Sequence, residues 1–181
     1  LNSKRDVFAR FYFISDDELL SILGSSDPTN IQIHLLKLFD NVCRVGFTRG
    51  NKIISSMESS EGEMFDLKSQ VTIEGPAEHW MTLIEEEMKH SLWIITKEAV
   101  YQYAHMERTN WIASEETLGM NSICGSQIWW TWQVEDAFKN ILHGNKHAMK
   151  TLESKLAAEL NDMVSLVRSS LDSTTRKKVN T

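Results

Sequence analysis

The stretch Gly46-Phe47-Thr48-Arg49-Gly50-Asn51-Lys52 holds the residue types of a phosphate-binding loop, with glycines to bring backbone N–H groups close and a lysine to meet the charge. Its spacing departs from that loop. A P-loop needs four residues between its glycines, Lys directly after the second and Ser or Thr after that. Here Asn51 intervenes and Ile53 follows Lys52. His143 and His147 stand four apart, the geometry of a two-histidine metal site on a helix. Gly144 lies between them and breaks a helix, and no third ligand is indicated, so both read as surface histidines. Glu85-Glu86-Glu87 point in different directions on a helix and make no paired-carboxylate site. They read as a solvated face. Cys124, beside Gly125 and Ser126, has no base partner that would make it a nucleophile. Trp129, Trp130 and Trp132 could stack bases, but stacking platforms work with a basic groove. On a helix the three diverge, so one or two belong to a core and another to a neighbouring element. The expected set of catalytic, cofactor-binding and metal-ligating residues is therefore empty.

Composition narrows the class further. The chain has 181 residues, a net charge of −6 and a pI near 5.5, so it lacks the basic footprint of a dedicated nucleic-acid binder. Lys4/Arg5 and Arg176/Lys177/Lys178 are local basic spots and read as solvated termini. The two cysteines, Cys43 and Cys124, are far apart without a C-x-x-C pattern, so both are expected as free thiols in a reduced, intracellular setting. No run approaches the roughly 20 apolar residues that cross a bilayer, and there is no basic-then-apolar leader. Leu1 in place of an initiator methionine, and a helical pattern reaching Asn180-Thr181, lead to the expectation of a fragment.

The elements that would position these residues can be taken in order. Phe11 to Ile14 is a bulky run of high β-propensity and predicts an apolar strand. Ser15 and Glu18 then form a capping box, Asp16 and Asp17 suit the positive end of a helix dipole, and Gly24 ends the helix. Asp27 and Pro28 start a second helix, with Ile31, Leu35, Leu38 and Phe39 on its buried face. Val42, Val45 and Phe47 form a short extended exit. Ile53 to Met57, a turn at Glu61-Gly62, and Met64 to Ile73 read as a β-hairpin. After Gly75-Pro76 a long helix carries Trp80, Leu83, Ile84, Met88, Leu92, Ile95, Ala99 and Tyr103 on one stripe, with Trp93, Ile94 and Tyr101 off it. Residues 108–119 form a connector anchored by Trp111-Ile112. A helix from Met120 to Leu142 should bury Ile123, Trp130, Val134, Phe138 and Ile141, and a last helix should bury Met149, Leu152, Leu156, Leu160, Met163, Val167 and Leu171. The short joint at Gly144 predicts that these two pack antiparallel. The fold class expected is mostly α, an elongated helical bundle with one small β-hairpin: short helices over 1–50, the hairpin over 51–74 and long helices over 75–181, in one fragment.

The wording of certain stretches carries more than their spacing does. Arg10-Phe11-Tyr12-Phe13 followed by Ile14-Ser15-Asp16-Asp17-Glu18-Leu19-Leu20-Ser21-Ile22-Leu23-Gly24 resembles the linker region of dynein heavy chains, between the tail and the AAA+ ring. The resemblance continues through Phe39-Asp40, Ser60-Glu61-Gly62-Glu63, Trp80, Ser126-Gln127-Ile128-Trp129-Trp130-Thr131 and Leu166-Val167-Arg168. Gly119-Met120 and Cys124 to Trp132 look most like axonemal outer-arm heavy chains.

That resemblance implies a mechanical linker segment of a microtubule motor in cilia or flagella, not itself an enzyme. It implies a helical rod that arches over the AAA+ ring and bends as the ring hydrolyses ATP. ATP and Mg would belong to the ring of the parent chain, leaving no cofactor in this segment. The implied partners are the AAA+ ring of the same heavy chain, dynein intermediate and light chains, and microtubules, with no nucleic acid and no membrane. A freestanding helical adaptor, binding partner helices through exposed aromatics such as Trp93 or Trp132, is the competing expectation.

Overall fold

The structure, a computed structural model, describes residues 1–180; Thr181, with which the expected fragment ends, lies outside the described residues. The chain is mostly helical with a small antiparallel sheet, as expected. It divides into two compact units, Leu1–Trp93 and the residues from Ile94 onward.

The first unit opens with α1 (Asn2–Val7) and a 3-10 segment, Ala9–Phe13, where a strand was expected. The residue spacing explains the difference. Phe8, Phe11 and Ile14 are three apart, and a 3-10 turn puts such residues on one side. All three are buried, whereas Tyr12 and Phe13 are exposed. Phe8 meets Phe11 edge to face at 4.9 Å, and the Arg5 guanidinium donates to the carbonyls of both Phe11 and Ile14, drawing the segment into a curl. Helix α2 (Asp16–Gly24) starts at the expected capping box: the Ser15 hydroxyl accepts from the Glu18 N–H and Glu18 accepts from the Ser15 N–H. The second expected helix is instead a 3-10 segment, Pro28–His34, followed by the short α3 (Leu35–Leu38). Ile31 and His34, three apart, are its buried pair.

The sheet is a meander of β1 (Val42–Thr48), β2 (Ile53–Ser59) and β3 (Met64–Thr72). The expected hairpin is β2 and β3. The extended exit after Asn41 is a third full strand, antiparallel to β2. Val45, Ile54, Met57, Leu67 and Val71 join Phe8, Phe11, Leu19, Ile31, Leu38, Trp80 and Ile84 in one core. Both sheet edges are protected by side chains, which removes the templates for unwanted pairing. Gln32 brackets β1, donating to the Val45 carbonyl at 3.0 Å and accepting from its N–H at 3.1 Å. On β3 the pairing register jumps between Ile54↔Val71 and Ser56↔Asp66, leaving a bulge.

Helix α4 (Ala77–Tyr103) is the longest element. The second unit holds its last turns with α5 (Arg108–Ala113), α6 (Gly119–Leu142), α7 (Ala148–Arg168) and α8 (Ser173–Asn180). Gly144, at φ 101°, reverses the chain between α6 and α7. Ala137, Val134 and Ile141 from α6 share a cluster with Ala148, Met149, Leu152 and Leu156 from α7, the arrangement expected of an antiparallel pair. Helix α8 was not expected, because only Val179 among its residues is apolar.

Candidate functional site

The polar side chains that matter in the first unit converge on α4. Lys4 reaches the carboxylate of Glu78, which is 3% exposed. Burial opposes the charged form of Glu78, but the hydrogen bond from the Lys4 ammonium, a backbone hydrogen bond and the positive charges of Lys4 and His79 together outweigh it, so the carboxyl sits below its ordinary value. Arg10 sits 3.3 Å from Glu85, donates to the Leu38 carbonyl at 3.0 Å and lies over the Phe39 ring at 5.1 Å. Glu85 is likewise lowered: burial raises it, and the hydrogen bonds from Lys89 and Arg10 bring it down further.

The bulge of β3 is caught from the same helix. The Lys68 N–H donates to the Ser91 hydroxyl and the Ser69 N–H to the Glu87 carboxylate, each at 2.8 Å, while Ser91 itself donates to Glu87. Two backbone donors that the bulge takes out of the ladder are thus satisfied by α4.

These contacts correct two expectations. Glu85-Glu86-Glu87 is not a solvated face, since Glu85 pairs with Arg10 and Lys89 and Glu87 holds the β3 backbone; only Glu86 is exposed. Nor is Lys4/Arg5 a solvated terminus. Arg5 is buried, with Asp16 at 2.7 Å and the two carbonyls already described. Periodicity missed these residues because it tracks apolar faces. The available signal was the long stem of Arg5, which can bury its methylenes while its head finds carbonyls.

In the second unit an aromatic clamp closes on the end of α4. The Trp111 indole donates to the Ala99 carbonyl and the Trp129 indole to the Val100 carbonyl, both at 2.8 Å. Val100 belongs to the last turn, where carbonyls run out of intrahelical donors. Tyr103 meets Trp111 edge-on at 5.0 Å and stacks on Trp129 at 5.3 Å. Burial raises the Tyr103 hydroxyl above its ordinary value, and the negative charge of Glu159 adds to this. Gly125 makes the clamp possible, since a Cβ there would stand 2.9 Å from the Trp111 ring. Trp111 and Ile112 are the buried anchors that were expected.

At the far end Lys178 is 8% exposed and donates to the carbonyls of Ser114 and Thr117 at 2.6 and 2.8 Å, and Arg176 donates to those of Val167 and Ser169. Of the C-terminal basic spot, Lys178 is thus a buried backbone tie where a solvated side chain was expected, while Arg176 and Lys177 are exposed as expected.

The residues first considered for chemistry fall elsewhere. Gly46 lies inside β1, where a Cβ would collide with the Ser56 hydroxyl, and Arg49, Gly50 and Asn51 all have positive φ in the β1–β2 turn. No helix N-terminus follows that turn to receive a phosphate. His143 and His147 are exposed, and the His143 Nδ1 contacts the Lys139 carbonyl at 2.7 Å. Among the described residues no group of three His, Cys, Asp or Glu is placed to hold a metal ion, and no helix is long and apolar enough to cross a membrane. Cys43 and Cys124 are free thiols. Trp129 is half-buried, while Trp130 and Trp132 are exposed.

The arrangement ties backbone segments to α4 and to α8 through buried charge and aromatic N–H groups. Comparison with known proteins supplies the family. The model for dynein heavy chain, N-terminal region 2, matches residues 1–99. The chain is 55% identical, over 94% of its length, to the dynein-1-alpha heavy chain of the flagellar inner arm I1 complex of Chlamydomonas reinhardtii. It is 42% identical over its whole length to human dynein axonemal heavy chain 10, and 33% identical over 99% to the flagellar outer-arm dynein beta chain of Chlamydomonas reinhardtii. In each case it spans 4% of the relative's own length. On the match to its first 99 residues, this chain belongs to the dynein heavy chain family.

Proposed function

We propose that this segment is part of the linker of an axonemal dynein heavy chain, working in the axoneme of cilia or flagella as a mechanical element of a microtubule motor. The observation that carries the reading is the way side chains are spent. Lys4 and Arg10 hold charges on α4, Trp111 and Trp129 hold its backbone carbonyls, and Glu87 on α4 holds the backbone of β3; none of these converges with the others on an open pocket. Rigid helices fastened in this way transmit displacement as bodies, not by continuous bending. ATP hydrolysis and microtubule binding belong to other parts of the heavy chain in this reading, and the AAA+ ring of the same chain is the surface the segment works against. Intermediate and light chains would join it only through the assembled motor. On arm type, 55% identity to an inner-arm chain against 33% to an outer-arm chain weighs toward the inner arm, away from the outer-arm expectation.

Leu156 tests the mechanical reading. It is half-buried in the cluster between α6 and α7, near the middle of α7. Proline there removes a backbone hydrogen bond and clashes with the preceding turn, at a cost of about 3 kcal/mol or more. In the full motor, Leu156→Pro should spare most basal ATP turnover and sharply reduce microtubule gliding, with Leu156→Met as the volume-conserving control. Gliding at normal speed would mean that this helix carries no essential load.

A further inference from the structure

Ser169 to Asp172 join α7 to α8 outside any helix, and Ser169 is extended there, at φ −76° and ψ 171°. The two serines of the joint differ. The Ser169 hydroxyl donates to the Leu166 carbonyl at 2.7 Å and is spent on closing α7. Ser170 is exposed, and its hydroxyl has no hydrogen-bond partner among the described residues. Arg168, two positions before it, is likewise exposed and forms no ion pair among the described residues, and Leu171 follows. An arginine two before a serine, with an apolar residue after it, is a pattern that basophilic serine kinases read, because their peptide groove holds an extended segment and meets the guanidinium with carboxylates.

A second arginine sits on the same joint. Arg176 of α8 donates from Nη1 to the Val167 carbonyl at 3.3 Å and from Nη2 to the Ser169 carbonyl at 3.1 Å. The Ser169 carbonyl belongs to the peptide unit that leads into Ser170, so this guanidinium lies within a few ångströms of the Ser170 side chain, the reach of a phosphate group. The carbonyls use only part of the guanidinium fork, and its other N–H groups remain. Asp172, the nearest acid in sequence, accepts from the N–H groups of Thr174 and Thr175 at 3.0 and 2.9 Å, and Arg176 has no carboxylate partner among the described residues. Because Val179 is the only apolar residue of α8, polar ties of this kind decide how firmly the helix stays docked.

We propose that Ser170 is a phosphorylation site for an arginine-directed serine kinase, and that the phosphate it receives docks on Arg176, fastening α8 to the end of α7. In the transfer, Ser170 Oγ bonds to the γ-phosphorus of Mg-ATP as the bond from that phosphorus to the β–γ bridging oxygen breaks. ADP leaves, and the hydroxyl proton passes to the catalytic aspartate of the kinase. The product carries about −1.5 to −2 charge and acceptor oxygens that suit a guanidinium, so a joint held by bonds to neutral carbonyls gains a charge-assisted one. The two arginines have separate parts: Arg168 is read by the kinase, and Arg176 receives the phosphate. The site stands whether or not the segment is the linker.

The test treats the native full heavy chain with Mg-ATP and the catalytic subunit of a cyclic-nucleotide-dependent serine kinase, which selects arginine before serine, and maps phosphate by peptide mass spectrometry. Ser170 should be modified on most chains, Ser170→Ala should lose that phosphopeptide, and Arg168→Ala should slow its formation by about tenfold or more, the cost of one charged contact. Hydrogen–deuterium exchange over residues 173–180 then compares the phosphorylated and unphosphorylated forms. Phosphorylation should slow exchange severalfold in the parent and leave it unchanged in Arg176→Gln, which is still modified at Ser170. No phosphate on Ser170, phosphate on Ser169 in its place, or equal rates with and without Arg168 overturns the site. Unchanged or faster exchange in the phosphorylated parent, or a slowing that survives Arg176→Gln, overturns the docking.

Discussion

The Trp111 indole nitrogen donates to the Ala99 carbonyl at 2.8 Å, and this one bond joins the short helix α5 to the end of the longest helix in the chain. Trp111 has no exposed surface, so the hydrogen bond forms out of water where its absence would leave a buried group unsatisfied. The exchange Trp111→Phe keeps an aromatic ring but removes the donor and part of the packing. It should destabilise the second unit by about 1–3 kcal/mol, the usual penalty for orphaning a buried polar group. Trp130→Phe, at an exposed position, should fall within about 0.5 kcal/mol of the parent chain. Urea unfolding of the 181-residue chain, followed by circular dichroism, compares the two; equal midpoints would mean the Trp111 bond contributes nothing.

Gly125 gives a prediction in which local propensity and packing disagree in sign. Within a helix, Gly→Ala is favourable by about 1 kcal/mol on propensity alone. At Gly125, however, the new methyl would stand 2.9 Å from the Trp111 ring, closer than carbon atoms pack. Overpacking of this kind costs about 1–3 kcal/mol. Gly125→Ala should therefore destabilise in the parent chain, while in a Trp111→Leu background, where the ring is gone, the same exchange should become neutral or stabilising. A double-mutant cycle on unfolding midpoints reads the coupling directly, and additive effects would remove the clamp from the account.

The parts of this fold that sequence revealed are those with one strong local cause. Ser15 and Glu18 could be placed as a capping box because both partners lie within one turn, and Trp111-Ile112 as an anchor because little else in the connector is apolar. The parts it hid depend on partners distant along the chain. Glu87 reads as a solvent charge until the β3 bulge presents the Ser69 N–H, and Lys178 reads as a tail until Ser114 and Thr117 present their carbonyls. Helix α6 defeats periodicity for a different reason. Val134 and Ile141 pack against α7 as expected, but Ile123, Trp130 and Phe138 are open, because the close packing elsewhere on α6 uses Gly119, Ser122, Gly125 and Ala137, which leave little apolar signature. The 3-10 segment at Ala9–Phe13 was concealed by β-propensity, although the three-residue spacing of Phe8, Phe11 and Ile14 was present in the letters.

The β1–β2 turn yields a prediction about nucleotide. Arg49, Gly50 and Asn51 take positive φ in succession to reverse a hairpin, and the backbone that follows is strand β2. A phosphate cradle instead needs its N–H groups to converge at the start of a helix. Isothermal titration of the 181-residue chain with Mg-ATP should give no saturable heat, and micromolar binding at one site would overturn this reading of the turn.

The last prediction concerns acid, and its sign follows from Glu78. Its carboxyl is held below the ordinary value: burial resists ionisation, and the Lys4 ammonium with a backbone hydrogen bond and His79 together more than compensate. Glu85 is lowered in the same direction, with burial again opposed by Lys89 and Arg10. A group whose folded value lies below its unfolded value adds stability that is present above the unfolded value of about 4.5 and is lost as pH falls through the folded value. Protonation of the two acids removes the charge partners of Lys4 and Arg10 on α4. Unfolding midpoints of the 181-residue chain should hold between pH 7 and 5 as far as these two groups contribute, then drop below pH 4.5. Glu78→Gln should lower stability at pH 7, and its difference from the parent should shrink as the pH falls below 4.5 toward 3, because the parent carboxylate is progressively neutralised. A Glu78→Gln effect of the same size at pH 7 and pH 3 would show that Glu78 acts through its shape and hydrogen bonds alone, with no contribution from its charge.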